Sequence, residues 1–188
     1  MFKLNTVEPI KDIDLINDIA DYLKVRNERD YVMFMFGIYS GLRISDILNF
    51  RVRDVKAKDY IYIQEKKTGK SKRFPIHDEL KHILNEYIEQ KKDYEYLFKS
   101  REGPNKPIGR ERAYQILKEA ANIFKLDCIG CHTMRKTFGY LLYEQTKDVV
   151  AIKEILNHSD ISITLRYIGV NQDVKDKVMK QLSLKKNK

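Results

Sequence analysis

Residues 31–39 constrain the fold more than any other part of the sequence. Drawn as a helix, this run is apolar almost all round, which predicts a central helix buried on every side. The run is far too short to cross a bilayer, so the other elements are expected to pack around it. Gly41 ends the helix. At 188 residues, the chain suits a single globular domain of this kind.

The other periodic segments predict an α+β fold that is mainly helical, with one small antiparallel β-hairpin. Residues 12–26 place Ile16, Ile19 and Leu23 on one face, as in an amphipathic helix. Two β-rich runs, residues 60–64 and 73–76, flank a polar turn and predict the hairpin, whose register is left open. Further helical patterns cover residues 45–50, 78–91, 110–124, 133–145, 149–157, 161–167 and 172–182, and residues 100–109 are typical of a loop.

The balance of charge indicates the class of partner. The chain has 36 Lys and Arg against 27 Asp and Glu, a formal net charge of +9, which favours a polyanion such as nucleic acid. The first residues contain no apolar segment typical of a secretory signal, so we expect a cytoplasmic protein that does not enter a membrane. Basic residues cluster at Arg51, Arg53, Lys56, Lys58, 66–73, 99–112 and Lys136.

The cysteines allow a different function. Residues 128–132 match the C-x-x-C-H pattern of haem attachment, and Cys128, Cys131, His132 and His158 are ligand types that zinc accepts. A single C-x-x-C is weak evidence, and nothing in the sequence indicates the export that haem attachment normally needs. The preferred interpretation has no cofactor and no metal, with two small apolar cysteines preceding a helix.

Four short segments occur in an informative order. They are residues 41–46 (GLRISD), 67–70 (KTGK), 132–135 (HTMR) and 156–160 (LNHSD), the last followed by Tyr167. Each segment alone is weak, but the ordered set resembles the tyrosine recombinases, also called the phage integrase family. The resemblance covers nearly the whole chain, and it implies the catalytic-domain fold of that family.

Phosphoryl transfer explains why such residue types are needed. Negative charge accumulates on two non-bridging phosphate oxygens, and arginine presents a rigid charged fork to them. We assign Arg43 and Arg135 to this clamp, although an exposed ion pair such as Arg43 with Asp46 is the commoner fate of an arginine. A tyrosine hydroxyl has a pKa of about 10 and needs a base or a positive field to react.

The resemblance assigns the remaining roles. It implies that Tyr167 is the nucleophile of a 3′-phosphotyrosine intermediate, that His132 orients it or accepts its proton, and that His158 donates to a phosphate oxygen. It places a general acid on the hairpin, where Lys67 matches best and Lys66 or Lys70 stays open because the register decides which lysine points inward.

The same resemblance implies a site-specific recombinase or integrase that acts on double-stranded DNA as a homotetramer, with a monomer as the alternative state when free. Residues 1–170 would form the catalytic domain, and residues 171–188 a C-terminal helix and tail that packs in cis or docks on a neighbouring protomer. The alternatives are a type IB topoisomerase and a non-catalytic DNA-binding relative. Few residues precede the first helix, so the chain is a fragment or one of the short members that invert fimbrial promoters.

Asn157 departs from the family pattern, which commonly has glycine before His-Ser. Because asparagine tolerates the left-handed backbone conformation, we expect the turn to be kept.

Overall fold

The computed structural model describes residues 7–64, 71–126 and 129–170, together with residue 179. Its elements are α1 (Ile13–Arg26), α2 (Glu28–Ser40), α3 (Ile44–Ile47), a 3-10 turn (Val52–Asp54), β1 (Tyr60–Gln64), β2 (Ser71–Pro75), α4 (Asp78–Ile88), α5 (Arg110–Ile123), α6 (Thr133–Thr146), α7 (Val149–Ile155) and α8 (Ile161–Tyr167). The mainly helical α+β fold with one hairpin is confirmed. The predicted C-terminal helix over 172–182 lies outside the described residues, apart from residue 179.

The helix predicted to be central is α2. Val32, Met33, Phe34 and Phe36 are at most 1% exposed, and α2 packs against α1, α4 and α6. Its first turn carries Glu28 and Asp30, and it ends at Gly41, which has the left-handed conformation with φ of 60°. Most of the apolar core gathers around this helix, because only a helix without a polar face can be surrounded on all sides.

The hairpin pairs Tyr60 with Pro75 and Gln64 with Ser71 in antiparallel register. Strand β2 therefore begins two residues before the predicted start at Arg73. Only Ile61 of β1 is fully buried, so most of the hairpin lies at the surface. Residues 65–70, which include Lys66, Lys67 and Lys70, are outside the described part of the chain.

A second, smaller apolar cluster lies beneath α7 and α8. It contains Ile152, Leu156, Ile168 and Val170, with Tyr167 packed against it. Helix α6 joins the two clusters, because Met134 belongs to the main core and Phe138 to the smaller one. The residues on α6 between these two side chains therefore lie at the junction of the clusters.

Candidate active site

Arg135 lies at this junction because α2 and α6 approach closely. A Cβ atom at Gly37 would clash with the side chain of Met134, and one at Gly41 would overlap the ring of Phe138. Glycine at both positions therefore lets the two helices touch, and Arg135, on α6, becomes only 6% exposed.

The guanidinium of Arg135 is held by two helix ends. Nη1 donates to the carbonyl of Gly41, which closes α2, and Nη2 donates to the carbonyl of Leu156, which closes α7; both distances are 2.6 Å. The C-terminus of a helix carries partial negative charge, so it favours a cation there. Burial lowers the pKa of Arg135, and the nearby Tyr167 acts in the opposite direction. An arginine nevertheless stays charged at neutral pH.

Arg43 has a different environment. It is exposed, with an extended backbone at the start of α3, directly after the turn that ends α2. Among the described residues it forms no ion pair with Asp46 or with any other carboxylate. Its charge nevertheless influences the pKa values of His132, Arg135, His158 and Tyr167. The guanidinium is thus close to the other candidate residues and uncommitted to a partner in the described structure.

Tyr167 ends α8, and its ring is packed against neighbours on two elements. The ring of His158 meets it edge-on, with centroids 4.8 Å apart, and the Lys136 amino group lies 5.1 Å from its centroid. A Cβ at Gly139 would approach Ile168 to 2.8 Å, so the glycine allows the residue after Tyr167 to pack on α6. The nucleophile proposed from the sequence is thereby fixed at the edge of the smaller cluster.

The hydroxyl of Tyr167 is buried and makes no hydrogen bond of normal geometry among the described residues, although it lies close enough to the Arg135 guanidinium to interact with it. Burial raises the pKa of Tyr167, while the charge of Arg135, the polar interaction of its guanidinium with the hydroxyl, and the charge of Arg43 lower it. A buried hydroxyl without a partner is uncommon in native structures and calls for an explanation. A phosphate group bound by the two arginines would supply a polar neighbour for this oxygen.

The tautomer of His158 follows from a chain of hydrogen bonds. Thr164 donates its hydroxyl proton to the carbonyl of Asp160 at 3.2 Å, and its oxygen lies 3.1 Å from Nδ1 of His158. With its proton so used, the hydroxyl accepts from Nδ1–H, which leaves Nε2 as the free nitrogen of a neutral ring. Burial, followed by the charges of Arg135 and Arg43, lowers the pKa of His158. The ring is therefore neutral at pH 7, and Nε2 is an acceptor in that state.

The backbone before His158 forms a Schellman motif. The Asn157 amide donates to the carbonyl of Glu154, and the His158 amide donates to that of Lys153. Asn157 has φ of 53°, the left-handed conformation that this motif requires. The expectation that asparagine keeps the turn is confirmed, and the turn aims His158 towards Tyr167.

Replacing Asn157 with alanine should lower the free energy of unfolding by about 1 kcal/mol, because a Cβ without a compensating polar group is disfavoured in this conformation. Asn157→Gly, which carries no such penalty, should unfold at or above the wild-type temperature. Thermal unfolding of the three proteins measures the difference. Equal melting temperatures for the alanine and glycine variants would contradict this account of the turn.

His132 precedes α6 and is exposed, yet the packing around its ring lowers its pKa. The charges of Arg135, Arg110, Lys136 and Arg43 add to this effect. His132 is therefore neutral at pH 7 and able to accept a proton. Among the described residues, the histidine packed on the Tyr167 ring is His158, whereas the sequence interpretation had paired His132 with that tyrosine.

The DNA cleavage that the sequence resemblance implies should respond to acid accordingly. Both histidine pKa values lie below the ordinary 6.5, so each ring stays neutral until the pH falls below that value. The cleavage rate at subsaturating DNA, which reports the groups of the free enzyme, should be flat near neutrality and fall only below pH 6.5. A midpoint at or above 6.5 would contradict the assignment, and His132→Asn should flatten the acid limb if His132 is the base.

The structure brings five of the six predicted residues together, namely Arg43, His132, Arg135, His158 and Tyr167. The sixth, Lys67, lies outside the described residues. The described part of the chain contains no group of three or more His, Cys, Asp or Glu side chains arranged to hold a metal ion. Cys131 is half-buried, and burial raises the pKa of its thiol; Cys128 is not among the described residues.

Two contacts in the site were missed in the sequence interpretation. Thr164 is fully buried and touches His158, and Lys136, which had been grouped with the basic surface, donates to the carbonyl of Val7 at 2.6 Å. Both are common residue types with no distinctive spacing. Only the folded arrangement of α6, α7 and α8 reveals their contacts.

Within the described residues, no helix is both long and apolar enough to cross a lipid bilayer.

Comparison with known sequences gives a consistent result. The profile described as the phage integrase family matches residues 10–173. The probable integrase/recombinase YoeC of Bacillus subtilis is 48% identical over 170 residues, which cover 90% of this chain and 93% of that protein. The tyrosine recombinase XerD of Staphylococcus aureus is 28% identical over 90% of this chain, but the match spans only 60% of the longer protein.

Solved structures share the fold. The XerA recombinase superimposes with a TM-score of 0.75 at 19% identity, over 96% of this chain and 68% of its own. The XerH site-specific recombinase, crystallised in a post-cleavage complex with its palindromic difH substrate, gives a TM-score of 0.68 at 20% identity, over 95% of this chain and 54% of its own.

Proposed function

Because the chain belongs to the phage integrase family, we propose that it is a site-specific recombinase that cuts and rejoins double-stranded DNA through Tyr167. The observation that carries the proposal is the buried hydroxyl of Tyr167, which lies beside the guanidinium of Arg135 and makes no hydrogen bond of normal geometry within the described part of the chain. A nucleophilic hydroxyl that binds a phosphate group during the reaction would be buried beside a guanidinium in this way before the phosphate is bound. The similarity to YoeC over nearly the whole length of both chains supports the proposal.

The step can be written from the residues present. The Tyr167 oxygen attacks phosphorus, its proton passes to a neutral imidazole, and the bond to the 5′ oxygen of the DNA breaks. Arg43 and Arg135 stabilise the charge that develops on the non-bridging oxygens. The departing oxygen takes a proton from the hairpin, where Lys67 stays the predicted donor. The 3′-phosphotyrosine ester keeps the energy of the broken linkage, so a 5′-hydroxyl can reverse the reaction without ATP.

The two histidines suit different parts of this step. In its neutral form His158 has a free acceptor at Nε2, and its ring packs on that of Tyr167 without a hydrogen bond to the hydroxyl, so it is a second candidate for the tyrosine proton. Once protonated, the same nitrogen becomes a donor to the phosphate. His132, neutral and exposed beside Arg135, stays the candidate that the sequence assigned as base.

The remaining predictions concern the oligomeric state, the domain bounds and the cellular location of the protein. We propose four protomers on two DNA sites, with residues 1–170 as the catalytic domain and residues 171–188 as a C-terminal arm. One structural neighbour, the Tn1549 transposon integrase, was solved in complex with circular intermediate DNA, which supports DNA as partner. A DNA substrate would place the enzyme in the cytoplasm. The XerD and XerH matches leave part of those longer proteins uncovered, so independent recombination by this chain is part of the proposal.

A nicked suicide substrate tests the activity. Such DNA loses a short fragment on cleavage, so the phosphotyrosine cannot be reversed and the adduct accumulates. We expect wild-type protein to form an adduct stable to denaturation, in EDTA and without a nucleotide cofactor. DNA binding without any adduct, on sites drawn from the DNA flanking the gene, would favour the non-catalytic relative instead.

A further inference from the structure

We propose that Lys136 is a positioning residue for Tyr167, and that it acts together with an N-terminal strap, residues 7–11. The inference rests on the proposed function, because it assumes that Tyr167 is the nucleophile. Lys136 follows the clamp residue Arg135 on α6, but its amino group is turned towards the strap and the tyrosine ring. It lies 5.1 Å from the ring centroid of Tyr167 and donates to the carbonyl of Val7 at 2.6 Å.

The strap is tied to the elements that carry the site by four separate contacts. Besides the bond from Lys136 to Val7, the buried Ile10 amide donates to the hydroxyl of Thr137 at 2.9 Å. Lys11 donates to the carbonyl of Gly169 at 3.0 Å. Pro9 is buried against Gly169, where an added Cβ would lie 3.2 Å from the proline ring. The strap therefore contacts α6 on one side and the residue two positions after Tyr167 on the other.

These contacts add to the packing that already holds the nucleophile. Tyr167 packs against the smaller cluster, and the ring of His158 meets its ring edge-on. Lys136 supplies a cation over the ring, an attraction that strengthens when the ammonium is partly desolvated. Burial lowers the pKa of Lys136, although the charge of Glu8 opposes this effect. The strap completes these contacts, because the carbonyl of Val7 accepts a hydrogen bond from the Lys136 ammonium and Pro9 packs on Gly169.

The competing interpretation makes Lys136 an ordinary phosphate contact. Its half-buried amino group is already bonded to Val7, so it is not free in the way that an exposed lysine on a DNA surface is. The two interpretations differ in measurable ways. A phosphate contact contributes to DNA affinity and to its salt dependence, whereas a positioning residue changes the reaction of DNA that is already bound.

The test combines spectroscopy with single-turnover cleavage in the full chain. The protein is labelled with 3-fluorotyrosine, and the Tyr167 signal among the twelve tyrosines is identified by its loss in Tyr167→Phe. We expect Lys136→Met to shift this ¹⁹F signal and to slow adduct formation from saturating DNA by roughly tenfold. DNA affinity and its salt slope should stay unchanged. Lys136→Arg, which keeps a cation and a donor, should restore most of the rate.

Two further variants complete the design. Lys91→Met removes the same charge and the same kind of contact, since the Lys91 amino group lies 3.9 Å from the ring centroid of Tyr87; it should leave the Tyr167 signal and the rate unchanged. Pro9→Ala weakens the strap without touching Lys136 and should move both readouts in the direction of Lys136→Met.

The inference is overturned if Lys136→Met leaves the Tyr167 signal in place, or if it weakens DNA binding while bound DNA is cleaved at the wild-type rate. An adduct formed by Tyr167→Phe would overturn the proposed function instead, and the ¹⁹F shift would still report whether Lys136 and the strap hold this ring.

Discussion

Replacing Tyr167 with phenylalanine should abolish the covalent adduct with a nicked suicide substrate, while the protein folds as well as the wild type. The variant lacks the only atom that this residue can offer to phosphorus, so no phosphotyrosine can form there. Fold stability should change by less than about 1 kcal/mol, because the buried hydroxyl makes no hydrogen bond of normal geometry among the described residues.

Tyr143→Phe is the matched control, because Tyr143 packs against the same small cluster. It should form adduct at the wild-type rate. Denaturing gel electrophoresis with end-labelled DNA measures both variants, and thermal unfolding measures stability. An adduct that survives in Tyr167→Phe would show that another side chain is the nucleophile.

The second large effect concerns substitution of Arg135 and Arg43, which should slow cleavage similarly but differ in their effect on stability. Arg135→Met should slow cleavage by roughly 10²- to 10³-fold and also lower the free energy of unfolding by about 2–4 kcal/mol. The stability loss is expected because the carbonyls of Gly41 and Leu156 lose a charged donor in a buried place. Arg43→Met should slow cleavage similarly and leave stability within about 0.5 kcal/mol, since Arg43 is exposed.

Urea unfolding and single-turnover cleavage, measured on the same preparations, separate the two cases. Arg135→Lys is informative as well, because one ammonium cannot reach two helix ends with the planar fork of a guanidinium. We expect it to recover little of either property. An Arg135→Met protein as stable as the wild type would refute the structural role assigned to this side chain.

Much of the fold was predictable from local patterns. Helix α2 was predicted correctly because a helix that is apolar on every side must be buried on every side, at the centre of the core. The start of β2 was missed because Ser71 and Lys72 are polar; they enter the strand through backbone pairing with Ile63 and Gln64. Helix α7 ends at Ile155, two residues before the predicted end, because Asn157 adopts the left-handed conformation that stops a helix.

The candidate site was predictable in its members but not in its contacts. Their order along the chain resembled a family, and that was enough to choose five residues that the fold brings together. The burial of Arg135 was not predictable, because it depends on Gly37 of α2 and Gly41 at its end meeting α6. The contact between His158 and Tyr167 depends on how the turn at Asn157 directs the chain, which residue spacing alone does not determine.

The double attachment of Arg135 changes how sequences of related proteins should be interpreted. A homologue that has lost its activity is no longer selected to bind phosphate, but it is still selected to fold. Arg135 would then persist, because without it two helix ends lose their shared donor. The exposed Arg43 side chain and the Tyr167 hydroxyl have no such structural role visible in the described structure, so Arg43 should change first and Tyr167 should be replaced by phenylalanine. Conservation of Arg135 is therefore poor evidence that a relative still cuts DNA. Loss of Arg43 or of the Tyr167 hydroxyl is strong evidence that the relative has become a binding protein.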